Sequence, residues 1–285
     1  MHLTRITRIT IPALMILVLP FMVYWLGAGR ISDCDLPAAL KGASKRLAAN
    51  WRMRNQIFRP IVTAPDSILW DTPFGKFWVP RSTQEPFLRV VISEQEEDIY
   101  SAESMVKPGD VVMDCGADIG TFVRNAIVHG ASRVIAVEPA PWKEPCLRKT
   151  FAQEIAQGKV TIYPKGVWNT EAELLLDVDT IRSDRGQKVP LTTIDRIVEE
   201  LQLNRLDLIK MDIEGAEKPA IQGARKSILR FKPRFTIATE HKPDDHSAIP
   251  ALLKEIVPSY SASCGPCVYQ FERFQPYTMQ FVAGR

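Results

Sequence analysis

A chain of 285 residues, 46% hydrophobic and 24% charged, is long enough for one large domain with extensions, and its core needs neither disulfides nor a metal staple. Its 36 basic and 33 acidic side chains leave a formal net charge of only +3, which argues against the concentrated positive face of a nucleic-acid binder. The one clearly basic stretch, 41–59, is interleaved with Ala, Trp and Met and reads as a solvated amphipathic helix suited to lie near a membrane surface.

From Ile9 to Gly29 the chain carries no charge and is rich in Ile, Leu, Met, Val and Phe, with Tyr24 and Trp25 near one end. That length matches the ~20 residues a helix needs to cross the hydrocarbon layer. The aromatic pair suits the interface, and Pro12 and Pro20 kink such a helix without excluding it. A single-pass anchor is the reading preferred here. A signal peptide cleaved near Gly27–Gly29 and a buried core helix are the alternatives. Basic residues flank both ends, and their balance favours a cytoplasmic catalytic domain.

Residues 31–60 have intermittent helical apolar spacing, ended by Pro60 and Pro65, and 68–80 read as a hairpin around Pro73 and Gly75. A helix is expected over 86–105. Short apolar strands then alternate with helices. Strands are expected at 111–114, 133–138, 160–163, 173–177, 206–212 and 235–240. Helices are expected at 122–128, 142–157, 193–201, 216–230 and 248–257, with one or two closing strands in 268–283. This alternation predicts an α/β fold, a mostly parallel, doubly wound sheet with helices on both faces, preceded by the N-terminal hydrophobic helix. The chain divides into an anchor at 1–30, a helical and hairpin extension at 31–105 and the main domain at 106–285. Of five cysteines, Cys115 reads as a buried free thiol. Cys264-Gly-Pro-Cys267 reads as a turn rather than a redox pair, with a structural disulfide as the alternative.

Four acids fall at or beside strand ends: Asp114, Glu138, Asp212 and Glu240. In an open α/β sheet the ligand crevice lies outside those ends. The segment from Asp114 to Thr121 holds Gly116 and Gly120 but lacks the three glycines of a dinucleotide loop, and Asp118 beside them would repel a pyrophosphate. Carboxylates there suit a cationic amino-acid moiety. Glu138, one βαβ unit later, can accept both hydroxyls of a ribose. Adenosine joined to an amino acid with a positive sulfur fits both halves, which is S-adenosylmethionine.

The stretch from about Asp110 to His241 resembles the FkbM family of methyltransferases. The matching pieces are Asp114-Cys-Gly-Ala-Asp-Ile-Gly120, Val137-Glu-Pro139, Pro190-Leu-Thr-Thr-Ile-Asp195, Asp207-Leu-Ile-Lys-Met-Asp-Ile-Glu-Gly-Ala-Glu217 and Glu240-His241. The resemblance implies a Rossmann-like methyltransferase fold, S-adenosylmethionine as donor and O-methylation of natural products or sugars. Carried onto this chain, Asp114, Gly116 and Gly120 form the donor loop, Glu138 holds the ribose and Asp212 sits near the transferred methyl. Asp118 and Thr121 depart from the family pattern, which has Asn and often an aromatic there. Asp118 then either helps hold the donor's positive groups or caps the next helix.

Abstracting a hydroxyl proton needs a base within hydrogen-bond reach. His241 is the first candidate, Asp212 the second, with Glu214 and Glu217 behind them. A surface position for His241 and a helix-dipole role for Glu217 are the plainer alternatives. Lys210 inside its strand either snorkels or pairs with a carboxylate. Asp212, Glu214, Glu240 and His241 are able to converge on a divalent ion, but no local ligand motif demands one, so no metal is expected. The expected acceptor is a small molecule, glycan or lipid-linked compound. A nicotinamide oxidoreductase and a non-catalytic binding or scaffold protein are the competing readings.

Overall fold

The computed structural model describes residues 36–177, 180–182, 186–271 and 273–284. The apolar run 9–29 and its expected membrane helix lie outside these. Among the described residues no helix is long and apolar enough to cross a membrane.

The extension holds α1 (Leu36–Arg54), a three-stranded antiparallel sheet of β1 (Arg59–Thr63), β2 (Ser67–Thr72) and β3 (Gly75–Pro80), then α2 (Glu85–Glu97) and α3 (Ala102–Met105). The expected hairpin is β2 and β3, paired from Ser67 opposite Pro80 to Thr72 opposite Gly75. Trp70, Phe77 and Val79 pack there against Leu88 and Ile92 of α2 and Met53 of α1. The helix expected through residue 60 stops earlier, because β1 pairs with β2. The single helix expected over 86–105 is two. Asp98 and Ser101 adopt left-handed backbone, and the Asp98 carboxylate accepts the Ala102 N–H at 2.6 Å, a local bond that competes with helix continuation.

The main domain runs β4 (Val111–Cys115), α4 (Thr121–Val128), β5 (Arg133–Val137), α5 (Glu144–Thr150), α6 (Ala152–Ala156), β6 (Val160–Tyr163), β7 (Gly166–Val167), β8 (Ala172–Asp177), β9 (Thr180–Arg182) and β10 (Gln187–Thr192). It continues with α7 (Ile194–Glu200), β11 (Leu208–Met211), α8 (Glu217–Gln222), α9 (Arg225–Phe231), β12 (Arg234–Ala238) and α10 (Asp245–Ile256). The chain closes with β13 (Tyr260–Cys264), β14 (Cys267–Gln270), β15 (Arg273–Pro276) and β16 (Thr278–Ala283). Seven strands form one sheet in the order β13-β16-β12-β11-β4-β5-β6. The five from β12 to β6 are parallel, and β16 enters antiparallel between β12 and β13.

Alternate side chains of these strands feed two cores. Met113, Ile135, Ile209 and Phe235 pack with α7, α8, α9 and α10 on one face. Val112, Val134 and Leu208 pack with α3, α4 and α5 on the other. Burial on both faces explains why the strands read as continuous apolar runs.

Three sequence expectations need correction. The strand at 173–177 does not join the parallel sheet: β8 pairs antiparallel with β10 in a small sheet of order β7-β10-β8-β9. Only Leu176 of β8 is buried, too little for a strand covered on both faces. The helix at 216–230 is two, because the Asp195 carboxylate accepts the N–H groups of Lys226 and Ser227 at 3.0 and 2.7 Å and starts α9 afresh. Of the closing segment only β16 enters the main sheet, while β14 and β15 form a separate ribbon. Cys115 is a buried free thiol as expected. Cys267 is held in a disulfide that does not include Cys264.

Candidate active site

The carboxyl ends of β4, β5, β11 and β12 open into one cavity of about 210 Å³. One half of it begins at the β4 exit. Gly116 has φ +79°, and a Cβ there would lie 1.9 Å from the Asp212 carbonyl oxygen. Gly120 has φ +91°, and its Cβ would lie 2.3 Å from the Phe151 ring. Only glycine meets both conditions, so the loop lies tight against the β11 exit and leaves the space above free for a ligand. Asp114 is fully buried, with Oδ1 3.1 Å from Lys210 Nζ and no hydrogen-bond partner for Oδ2. Lys210 also donates to the Gly116 carbonyl at 2.8 Å, which ties β11 to the loop. Burial pushes the Asp114 carboxyl up to about 6, against the pull of Lys210. Lys210 is thus a paired, internal cation and does not snorkel outward.

Glu138 follows β5 directly. Its two oxygens accept the N–H groups of Asp118 at 2.8 Å and Ala140 at 3.0 Å. Each carboxylate oxygen has two lone pairs, so each keeps one for a ligand hydroxyl. Burial raises the Glu138 carboxyl to about 7, although the Lys143 charge opposes it. Asp118 has left-handed backbone and sits 2.7 Å from Lys143 Nζ. It does not cap α4, whose N-cap is Gly120 with no side-chain cap bond.

The other half is built on β11 and β12. His241 is not on the surface: its side chain is 10% exposed. Nδ1 lies 3.0 Å from Glu217 Oε1. Nε2 lies 3.5 Å from Asp212 Oδ1, 3.6 Å from Glu214 Oε2 and 3.4 Å from Glu240 Oε1. Burial alone would lower the imidazole pKa, but the Glu217 bond and the charges of Glu217, Asp212 and Glu240 overturn that and raise it to about 10. Glu217 is at the start of α8 and accepts the Ile213 N–H at 3.0 Å, so it orients His241 as well as closing the helix start. One ligand atom each from Asp212, Glu214 and His241 all lie within 4.8 Å of one another, the spread of a single metal ion's ligand set.

Of the site residues expected from sequence, Gly116, Asp118, Glu138, Asp212, Glu214, Glu240 and His241 line this cavity, whereas Asp114, Gly120 and Glu217 do not. Four others escaped that reading. Tyr100 donates to Asp212 Oδ2 at 2.5 Å, and Tyr277 donates to Glu94 Oε1 at 2.9 Å. Glu94 of α2 lines the cavity, and burial raises its carboxyl to about 7 with help from Asp212 and Glu97. Lys143 completes the set beside Asp118. All four come from segments without a local motif.

A family model described as the Methyltransferase FkbM domain matches residues 114–265. The chain is 26% identical to the AMB antimetabolite synthetase AmbE of Pseudomonas aeruginosa, over 53% of this chain and 9% of that protein. It is 25% identical to the hexuronic acid methyltransferase AglP of Haloferax volcanii, over 60% of this chain and 68% of that one. It thus spans about a tenth of AmbE and two thirds of AglP. The crystal structure of a methyltransferase FkbM from Methylobacillus flagellatus KT is 20% identical, with a TM-score of 0.48, covering 68% of this chain and 53% of that one.

Proposed function

The chain belongs to the FkbM methyltransferase domain family, and from that premise we propose that it transfers the methyl group of S-adenosylmethionine to an oxygen of a sugar, another small molecule or a lipid-linked glycan. Glu138 carries the donor reading: a buried carboxylate, fixed by two backbone N–H groups, with a lone pair left on each oxygen for a ribose. The glycine cradle and the unpartnered Oδ2 of Asp114 suit the amino-acid end. A nicotinamide cofactor fits less well, because the loop from Asp114 to Thr121 lacks the three glycines of a dinucleotide loop and Asp118 would repel a pyrophosphate. Similarity to the hexuronic acid methyltransferase supports a sugar acceptor.

In the reaction the acceptor oxygen bonds to the methyl carbon as the carbon–sulfur bond breaks in line. S-adenosylhomocysteine leaves, and a hydroxyl acceptor gives up its proton. Positioning supplies most of the rate. His241, Asp212 and Glu214 face the acceptor. Their grouping opposite the donor loop supports a role in holding its hydroxyl, with the carboxylates of Asp212 and Glu214 as proton acceptors and Glu94 as a further acceptor of matched pKa. We also propose that residues 9–29 anchor the chain with its domain in the cytoplasm. Protease digestion of sealed vesicles reads this: protection of the domain in right-side-out vesicles is expected, and digestion there would reverse the orientation.

Calorimetric titration of the full chain with S-adenosylmethionine, with NAD as control, tests the donor. Micromolar binding, about −8 kcal/mol, is expected for the former alone. A folded sample that binds neither, or prefers NAD, would overturn the reading.

A further inference from the structure

The grouping at the β11 and β12 exits has a chemistry that donor binding does not use. Four carboxylates, Asp212, Glu214, Glu217 and Glu240, lie within 3.6 Å of one imidazole. Even a protonated ring offsets one of those four charges. The Nε2 distances of 3.4 to 3.6 Å are too long for ordinary N–H···O hydrogen bonds. His241 Nε2 and one oxygen each of Asp212 and Glu214 lie within 4.8 Å of one another, and Glu240 approaches the same nitrogen. Metal–ligand bonds of about 2.0–2.2 Å hold neighbouring ligand atoms roughly 3–4 Å apart, which is this spacing.

Two further observations are independent of the acid count. The His241 ring, nine-tenths buried, turns Nδ1 to a carboxylate and Nε2 toward Asp212 and Glu214, the arrangement by which a buried acid orients a metal-binding histidine. That acid, Glu217, is 1% exposed, and its Oε2 has no hydrogen-bond partner. On the other side Tyr100 holds Asp212 by Oδ2 and leaves Oδ1 toward Nε2.

We propose that Asp212, Glu214 and His241 form a binding site for one divalent cation of the magnesium or manganese class, with Glu240 beside it and Glu217 and Tyr100 orienting the ligands. The carboxylate oxygens are ligands of the kind such a hard cation takes, and no thiolate is among them. The site adjoins the donor loop through the contact between Gly116 and the Asp212 carbonyl, so a bound cation would face an acceptor hydroxyl and polarise it. The ligands come from two strand ends nearly thirty residues apart in sequence, which is why no local motif announced them.

The test uses the metal-free full chain and manganese(II) as the probe. Electron paramagnetic resonance of free manganese counts bound ions, and pulsed resonance on protein labelled with [15N]histidine detects a coordinating imidazole. One tight equivalent with 15N coupling is expected. Asp212→Asn and Glu214→Gln should each raise Kd at least tenfold, and Glu138→Ala should leave it unchanged. Absence of stoichiometric binding, absence of 15N coupling, or unchanged affinity in both ligand variants would overturn the site. Should a variant fail to fold, the labelled wild type still decides. S-adenosylmethionine titrated into the same samples keeps the two readings apart, because loss of donor binding with manganese retained counts against the donor alone.

Discussion

At the scale of single residues, Glu138 makes the sharpest prediction. If its oxygens accept the ribose hydroxyls, Glu138→Ala removes two hydrogen bonds to a charged acceptor, each worth about 1.5–3 kcal/mol. Donor affinity should fall by at least about a hundredfold in calorimetry, and unchanged affinity would remove the ribose assignment. Its protonation adds a second test. Burial raises the Glu138 carboxyl from 4.5 to about 7, and Glu94 shifts likewise. A raised acid favours folding fully below pH 4.5 and loses that contribution as pH climbs through 7. The ligand-free protein should thus melt at a lower temperature at pH 8 than at pH 5. Ribose hydroxyls favour the ionised carboxylate, so donor binding near pH 6.5 should release protons, visible as a buffer-dependent binding enthalpy. Asp114, Glu138, Asp212 and Glu240 were legible in sequence because each ends a buried strand. Glu94, Tyr100, Lys143 and Tyr277 were not, because their partners lie far along the chain: Tyr100 meets Asp212, and Tyr277 meets Glu94.

At the scale of elements, the extension and the donor loop share a core. Ile119, inside the loop, is buried with Phe77 of β3 and Leu88 and Ile92 of α2. The backbone N–H of Trp78 donates to Thr150 at the end of α5, and Lys149 reaches Asp66 before β2. The extension thus buttresses the loop from the side away from the sheet. Leu88→Ala should cost about 2–5 kcal/mol of stability in denaturant unfolding, since it empties a fully buried site. It should also weaken donor binding, although Leu88 does not line the cavity. A destabilised variant with intact donor affinity would mean that the loop holds its shape without the extension. The parallel strands and most helices followed from apolar periodicity. The breaks at 98–101 and before Arg225 did not, because a competing side-chain bond and a cap from α7 set them. The placement of β8 failed for a related reason: its apolar run is real, but its pairing partner was decided by how little of it is buried.

At the scale of the whole molecule, the alternating order of strands and helices predicted the sheet, while the cover over its carboxyl edge was invisible in sequence. That cover comes from both sides of the family match. Phe87, Val90 and Glu94 of α2 precede it and Tyr277 follows it, yet all line the cavity with Gly116 and His241. The shared sheet therefore supplies the glycine loop of the cavity and the flanking segments its opposite wall, which under the proposed function would meet the acceptor. A wall made of separate segments gains protection only when a ligand bridges it to the sheet. Hydrogen exchange on the full chain should accordingly slow in 116–120 on adding S-adenosylmethionine alone. Slowing should extend into 85–97 as well, because α2 closes the same cavity and packs on the loop through Ile119. Protection confined to 111–140 would separate α2 from the donor site and leave it as an acceptor wall only. Protection of both segments would make the extension part of the catalytic unit, so that exchanging α2 between relatives would change donor affinity together with acceptor choice.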